Sequence, residues 1–98
     1  MKNTASNELA QAIKTFNTDK ELVAFLEGIL TPQELMEIST RLQIVKQLMQ
    51  GIPQRQIAER LNVGIATVTR GSRVVKQGLF NSWRNSDYLW RENKKVTK

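Results

Sequence analysis

The sequence predicts an all-α chain of five to six short helices, two of them paired as a helix-turn-helix, forming a single domain over residues 1–98. Three observations carry that prediction. Apolar residues recur three and four positions apart along much of the chain, the spacing that places side chains on one face of a helix. Capping-box signatures at Thr18 and Thr31 mark helix starts. The stretch Gln54 to Arg73 reads as two short helices joined by a tight turn.

Residues 1–6 are polar and are expected to be disordered. From Asn7 onward, Leu9, Ala12, Ile13 and Phe16 form the stripe of a first amphipathic helix that ends near Phe16. A second helix opens at Thr18-Asp19-Lys20-Glu21, where the Thr hydroxyl takes the orphan N–H three residues on and Glu21 reaches back. Its Leu22, Val23, Phe25, Leu26, Ile29 and Leu30 are too many apolar groups for one narrow stripe. They require more than one partner, within the subunit or across a dimer.

Thr31 at the N-cap, Pro32 at the first helical position and Glu34 open a third helix. It runs to about Gln50, a length of roughly 28 Å at the α-helical rise, and stops at Gly51 with Pro53 beyond. Leu35, Ile38, Leu42, Val45 and Leu48 line one face, and Met36, Ile44 and Met49 widen it. This is the expected central scaffold. Thr40 and Arg41 in its middle are polar, which core packing does not explain.

The helix-turn-helix is expected over about residues 54–75. Pro53 stands where its first helix begins, and no capping side chain precedes it. Ile57, Ala58 and Leu61 form the stripe of that helix, Ala58 being small enough for a close crossing. Asn62-Val63-Gly64 is the turn: Asn tolerates a left-handed backbone, Val63 plugs the corner and Gly64 caps the second helix. Ile65, Val68, Gly71 and Val75 are then the inner face of that second helix, with Ala66, Thr67, Thr69, Arg70 and Arg73 outward. Small residues at a helix start let it approach base edges, where a methyl packs on thymine and a hydroxyl pairs with a base or phosphate. After Lys76, Gln77-Gly78 breaks the helix, and four of the six aromatics fall within residues 80–90. Phe80, Trp83, Tyr88 and Trp90 have two possible uses, stacking on bases or docking on the protein, and their helical spacing favours docking. The end, Arg91 to Lys98, is basic and expected to be loose, with disorder over residues 92–98.

At 98 residues and 40% hydrophobic, the chain is small for a well-buried core, which favours an obligate oligomer. No apolar run approaches the roughly 18 residues that span a membrane, and the start lacks a signal-peptide core, so a cytoplasmic location is expected. With no Cys and no His, a disulfide framework and Cys-ligated zinc are excluded, and the commonest general base and metal ligand is missing. No enzyme, metal site or resident cofactor is expected. The net charge of +6 is unevenly spread: residues 1–40 hold 3 Lys/Arg against 6 Asp/Glu, residues 41–76 hold 7 against 1, and residues 77–98 hold 5 against 2. A basic excess that coincides with the helix pair marks a face for a polyanion.

From Leu30 to Lys76 the sequence resembles the tryptophan operon repressor family of bacteria. The resemblance rests on Leu30-Thr31-Pro32, Thr40-Arg41 with Ile44, Gly51, Gln54-Arg55, and above all the run Gly64-Ile65-Ala66-Thr67-Val68-Thr69-Arg70-Gly71-Ser72. Generic helix-turn-helix proteins share the periodicity of that run but not its residues. The resemblance implies an intertwined all-helical homodimer whose two helix-turn-helix units enter successive major grooves of a palindromic operator. In helix-turn-helix repressors, the Trp repressor among them, half-sites lie about one DNA turn apart because the protein is two-fold symmetric. By resemblance, Ile65, Ala66 and Thr67 approach bases, while Gln54, Arg55, Thr69 and Lys76 hold backbone or flanking positions. The family also implies L-tryptophan as co-repressor. Arg41 and Arg70 would flank the indole, Arg70 would take the carboxylate, and Ile44 and Gly71 would line the indole slot. Thr31 and the carbonyls near Gly28 and Leu30 of the other subunit would hold the amino-acid end. Independently of the family, two arginines facing each other across a helix junction repel, and an anion or flat ring between them relieves that.

Three positions depart from the family pattern. Val74 stands where the family has a Ser whose hydroxyl receives the ligand ammonium, and Gly28 replaces a larger apolar residue at the pocket edge. Losing one acceptor for a charged donor costs on the order of 1.5 to 3 kcal/mol if nothing replaces it. Arg73, where the family usually has Asn, adds charge beside the DNA face. Two further readings therefore stand beside a tryptophan-controlled repressor. One is a related regulator that binds DNA without a co-repressor or answers to another indole ligand; the other is a helical protein-interaction module.

Overall fold

The computed structural model describes residues 4–91; the expectations for residues 1–3 and 92–98 lie outside the described residues. The chain is all-helical, with no strand among the described residues. In order come α1 (Thr4–Ile13), α2 (Asp19–Ile29), α3 (Pro32–Met49), α4 (Gln54–Leu61), α5 (Ile65–Lys76), a 3-10 turn (Asn81–Trp83) and α6 (Asp87–Trp90). The chain divides into two compact units, residues 1–37 and 38–98.

In the first unit, α1 starts earlier than expected: Thr4 to Ser6 are helical rather than disordered. These residues are polar but contain no helix breaker, and Ala5 is the best helix former. The helix also ends three residues sooner than Phe16. Thr15 turns both its amide and its hydroxyl to the Ala12 carbonyl, at 3.1 and 2.7 Å, a tighter closure than the α ladder. Phe16 is thereby released to pack on Phe25, ring centroids 5.0 Å apart. Thr18 Oγ1 accepts the Glu21 amide at 3.1 Å, while Glu21 accepts the N–H of Asn17, one residue before the cap. Thr31 and Glu34 close the second box reciprocally at 3.0 and 2.9 Å. Neither α1 nor α2 buries a residue, and Leu9, Val23 and Ile29 are about half exposed. Isolated helices this short are marginal in water, so the unit needs a partner for its apolar stripes.

In the second unit, the C-terminal half of α3 serves two clusters at once. Ile44 packs with Ile57 and Ala58 of α4 and Val68 of α5, joined by Leu48, Ile52, Leu61 and Val63. Val45 and Met49, about a quarter-turn around the helix, pack with Leu89, Val75, Phe80 and Trp83. α3, the expected central scaffold, leaves Met36, Ile38 and Leu42 exposed in the single chain, and burial begins at Ile44. At its end, the amide of Gly51 (φ +87°) bonds the Leu48 carbonyl and that of Ile52 bonds the Gln47 carbonyl. This Schellman closure requires a left-handed residue, which glycine adopts without strain.

The aromatic segment docks, as its spacing favoured, except that Leu79 and Trp90 stay exposed. Gln50 Nε2 donates to the Leu89 carbonyl at 2.7 Å, and Lys46 Nζ sits 4.5 Å from the centre of the Tyr88 ring. Ser86 caps α6, and the Trp90 indole N–H donates to the Arg84 carbonyl at 3.0 Å. That last bond holds the indole against the turn without burying it.

Gly71 lets α5 approach α3. A Cβ there would lie 2.9 Å from Ile44 Cγ2 and 3.5 Å from Leu48 Cδ1. Ile44 is buried and β-branched, so its methyl cannot swing away freely. Gly71→Ala is therefore expected to destabilise the fold by about 1 kcal/mol in urea unfolding, with overpacking outweighing the gain in helix propensity.

Candidate nucleic-acid interface

The turn between α4 and α5 fixes what each helix shows to solvent. Asn62 is left-handed (φ 56°), its amide bonds the Glu59 carbonyl at 3.3 Å, and the Val63 amide bonds the Ala58 carbonyl at 3.0 Å. Val63 packs under the corner, and Gly64 (φ −70°, ψ 151°) starts α5 without a side-chain cap. Ile57 and Val68 are fully buried against Ile44. With those inner faces seated, the opposite faces are held at a set angle to one another.

That outer surface carries the residues expected to meet DNA. Arg55, Ile65, Ala66, Thr67, Arg73 and Lys76 are exposed, and Gln54 and Thr69 are half-buried. Ile65 was expected on the inner face; it is 49% exposed, and Ser72 is buried in the inner stripe instead. The stripe runs Val68, Ser72, Val75, and the position one turn before Val68 falls on the cap residue Gly64, so Ile65 is left outside. Gln54 and Thr69 are half-buried because they bond each other across the two helices: Thr69 Oγ1 lies 2.9 Å from Gln54 Oε1 and 3.0 Å from the Ile65 carbonyl. Sequence reasoning placed both residues near DNA but missed their contact. The signal available was two polar residues brought together by the turn, fifteen positions apart.

Among the described residues, none of Arg41, Arg55, Arg70, Arg73 and Lys76 has a carboxylate within ion-pair distance. Four of them, all but Arg41 of α3, lie on the α4–α5 pair, and uncompensated cations on one helix pair attract a polyanion through a long-ranged, salt-sensitive attraction to phosphates. No group of His, Cys, Asp or Glu among the described residues is arranged to hold a metal.

The residues expected to hold an amino-acid ligand fall in both units. In the second, Arg41 and Arg70 are exposed, Val74 is half-buried, and Ile44 is buried with its methyl against Gly71. In the first, Gly28 is exposed and open, Leu30 is the extended residue after α2, and the Thr31 hydroxyl and amide are engaged by Glu34. α2 ends at Ile29, and the Leu26 carbonyl is taken by the Leu30 amide. Helix geometry leaves the Gly28 and Ile29 carbonyls beyond that without partners along the helix.

The sequence matches the family described as Trp repressor protein over residues 5–83. The chain belongs to the Trp repressor family. It is 39% identical over 71 residues to the Trp operon repressor homolog of Haemophilus influenzae strain PittEE, covering 71% of this chain and 70% of that protein. It is 50% identical over 62 residues to the homolog of Mannheimia succiniciproducens, covering 62% and 60% of the two chains, and 37% identical over 70 residues to that of Vibrio vulnificus, covering 70% and 69%. No solved structure matches the chain. The family match extends beyond the resemblance read from Leu30 to Lys76 and takes in α2 and nearly all of α1. No helix among the described residues is long and apolar enough to cross a membrane.

Asn62 holds the corner of this Trp repressor family member. Asn62→Ala is expected to lower stability by about 1 kcal/mol, because the left-handed backbone strains an alanine Cβ more than it strains asparagine. Asn62→Gly should match or slightly exceed the parent. The pair is compared by thermal unfolding.

Proposed function

We propose that the protein is a sequence-specific, DNA-binding transcriptional repressor that acts as a homodimer and takes L-tryptophan as co-repressor. The observation that carries this reading is the exposed start of α5: Ile65, Ala66 and Thr67 face outward while Val68 behind them is fully buried. A helix seated from behind and small in front is suited to enter a major groove. Arg55, Arg73 and Lys76 supply phosphate contacts around it. Dimerisation is supported by the first unit, whose helices bury nothing of their own. Two subunits related by a two-fold axis present two such helices to a palindromic site. The chemistry is recognition rather than catalysis.

Control by tryptophan is supported by the exposed pair Arg41 and Arg70 and by the α2 end, whose unpartnered carbonyls and negative helix-dipole end suit an ammonium. Arg70 offers the planar fork that a carboxylate takes. Val74 favours a second reading of the effector. It is half-buried and offers no acceptor, so an indole acid without an amino group is the alternative ligand.

A duplex enriched by the wild-type chain from a random pool in the presence of excess L-tryptophan or indole propionic acid serves as the DNA probe, and the same effector is kept in the binding assays. On it, Thr67→Ala is expected to weaken binding roughly fivefold or more, the loss of one hydrogen bond worth about 1 kcal/mol, with the unfolding midpoint unchanged. Arg55→Ala should weaken all sequences alike and reduce the slope of log K against log salt by about 1. Unchanged affinity in both variants would instead support a protein-interaction module.

Calorimetric titration tests the effector. L-tryptophan should bind saturably at two sites per dimer, and Arg70→Ala should abolish that binding without unfolding the protein, since Arg70 is exposed. A full response in that variant would remove the assignment of Arg70. Binding of indole propionic acid alone would establish the second reading.

A further inference from the structure

The contact between α4 and α5 contains one proton fewer than it first requires. Thr69 Oγ1 lies 3.0 Å from the Ile65 carbonyl and 2.9 Å from Gln54 Oε1. A hydroxyl carries a single hydrogen, and a carbonyl and an amide oxygen are both acceptors, so Thr69 can donate fully to only one of the two. If the Gln54 carboxamide is turned over, its NH2 donates to Thr69 Oγ1 and the hydroxyl proton goes to the Ile65 carbonyl, so both contacts become hydrogen bonds. The two ends of a carboxamide have nearly the same shape, and the hydrogen-bond network decides between them.

We propose that Thr69 is a positioning residue for Gln54: its hydroxyl anchors the Gln54 carboxamide so that one N–H of that group is held outward for a DNA phosphate. In either orientation the anchored amide keeps an N–H free, and in either one the anchor is the Thr69 hydroxyl. Both side chains are half-buried, which leaves an outer edge on Gln54. Gln54 is the first residue of α4, at the positive end of that helix, where an anion is favoured. A free glutamine side chain has several rotatable bonds to fix on binding, and a preset one has fewer. Thr69, one turn into α5, therefore acts on DNA through α4. The two residues make one contribution rather than two.

This rests on the DNA-binding function proposed for the chain, and the test separates the two. The wild-type chain is first used to enrich a duplex from a random pool, once with excess L-tryptophan and once with excess indole propionic acid, and the later measurements keep the effector that works; if nothing is enriched under either condition, the DNA-binding reading itself fails. On an enriched duplex, Gln54→Ala, Thr69→Val and the double variant are compared by fluorescence anisotropy, with thermal unfolding of each measured alongside. Gln54→Ala and Thr69→Val are each expected to weaken binding by about tenfold, and the double variant should be no weaker than either alone. Thr69→Ser, which keeps the hydroxyl, should restore binding to within about twofold of wild type. Losses that multiply in the double variant would overturn the inference, because the residues would then contact DNA independently. So would a Thr69→Ser variant as weak as Thr69→Val. A Thr69→Val loss that merely tracks lower stability is caught by the unfolding data and would also count against it.

Discussion

The second unit depends on the seat that Ile44 of α3 offers to α4 and α5. Ile57, Ala58 and Val68 close on it, and this burial holds the two helices together. Gly71 is the condition for that closeness, since any side chain there would strike the Ile44 methyl. Burial of this kind is non-directional, so the angle needs a second constraint. The left-handed Asn62 with its two carbonyl-closing bonds supplies it. Apolar burial contributes the stability of the pair, and the turn contributes its geometry.

Helices that owe their position to a small apolar seat can leave their outer faces to function, and here those faces carry Arg55, Arg70, Arg73 and Lys76, with no carboxylate within ion-pair distance among the described residues. Such a surface costs some stability through self-repulsion. A bound polyanion removes that cost, so the same feature that weakens the free protein favours the complex. The first unit has the opposite character: its helices α1 and α2 bury no residue, and Leu9, Val23 and Ile29 are about half exposed.

Much of this was legible in the sequence, and the misses share a cause. The capping boxes at Thr18 and Thr31, the stop at Gly51 and the left-handed Asn62 are local signals: each is written in residues within four positions of one another, and each forms. Ile65 was misplaced because helical periodicity counts a first residue as if a full turn preceded it. Met36, Ile38 and Leu42 of α3 are exposed in the single chain because an apolar stripe shows which residues need burial, not whether this chain alone supplies it. The Lys46–Tyr88 stack, the Gln50–Leu89 bond and the Gln54–Thr69 bond join residues far apart in sequence. No periodicity encodes such contacts. The outward placement of Arg55, Ala66, Thr67 and Arg73 was readable because exposure follows from position on a helix, whereas the residues expected to hold a ligand, in 28–31 and 41–74, are spread over two units and no periodicity relates them.

The most direct test of the central claim, that α4 and α5 read DNA, is to titrate an enriched duplex into the isotope-labelled protein and monitor backbone amide signals by NMR. The largest shifts are expected on the amides from Gly64 to Thr69 and at the start of α4 near Gln54 and Arg55. Shifts concentrated in α1 and α2, or in the aromatic segment from Phe80 to Trp90, with the α5 start unmoved, would contradict it.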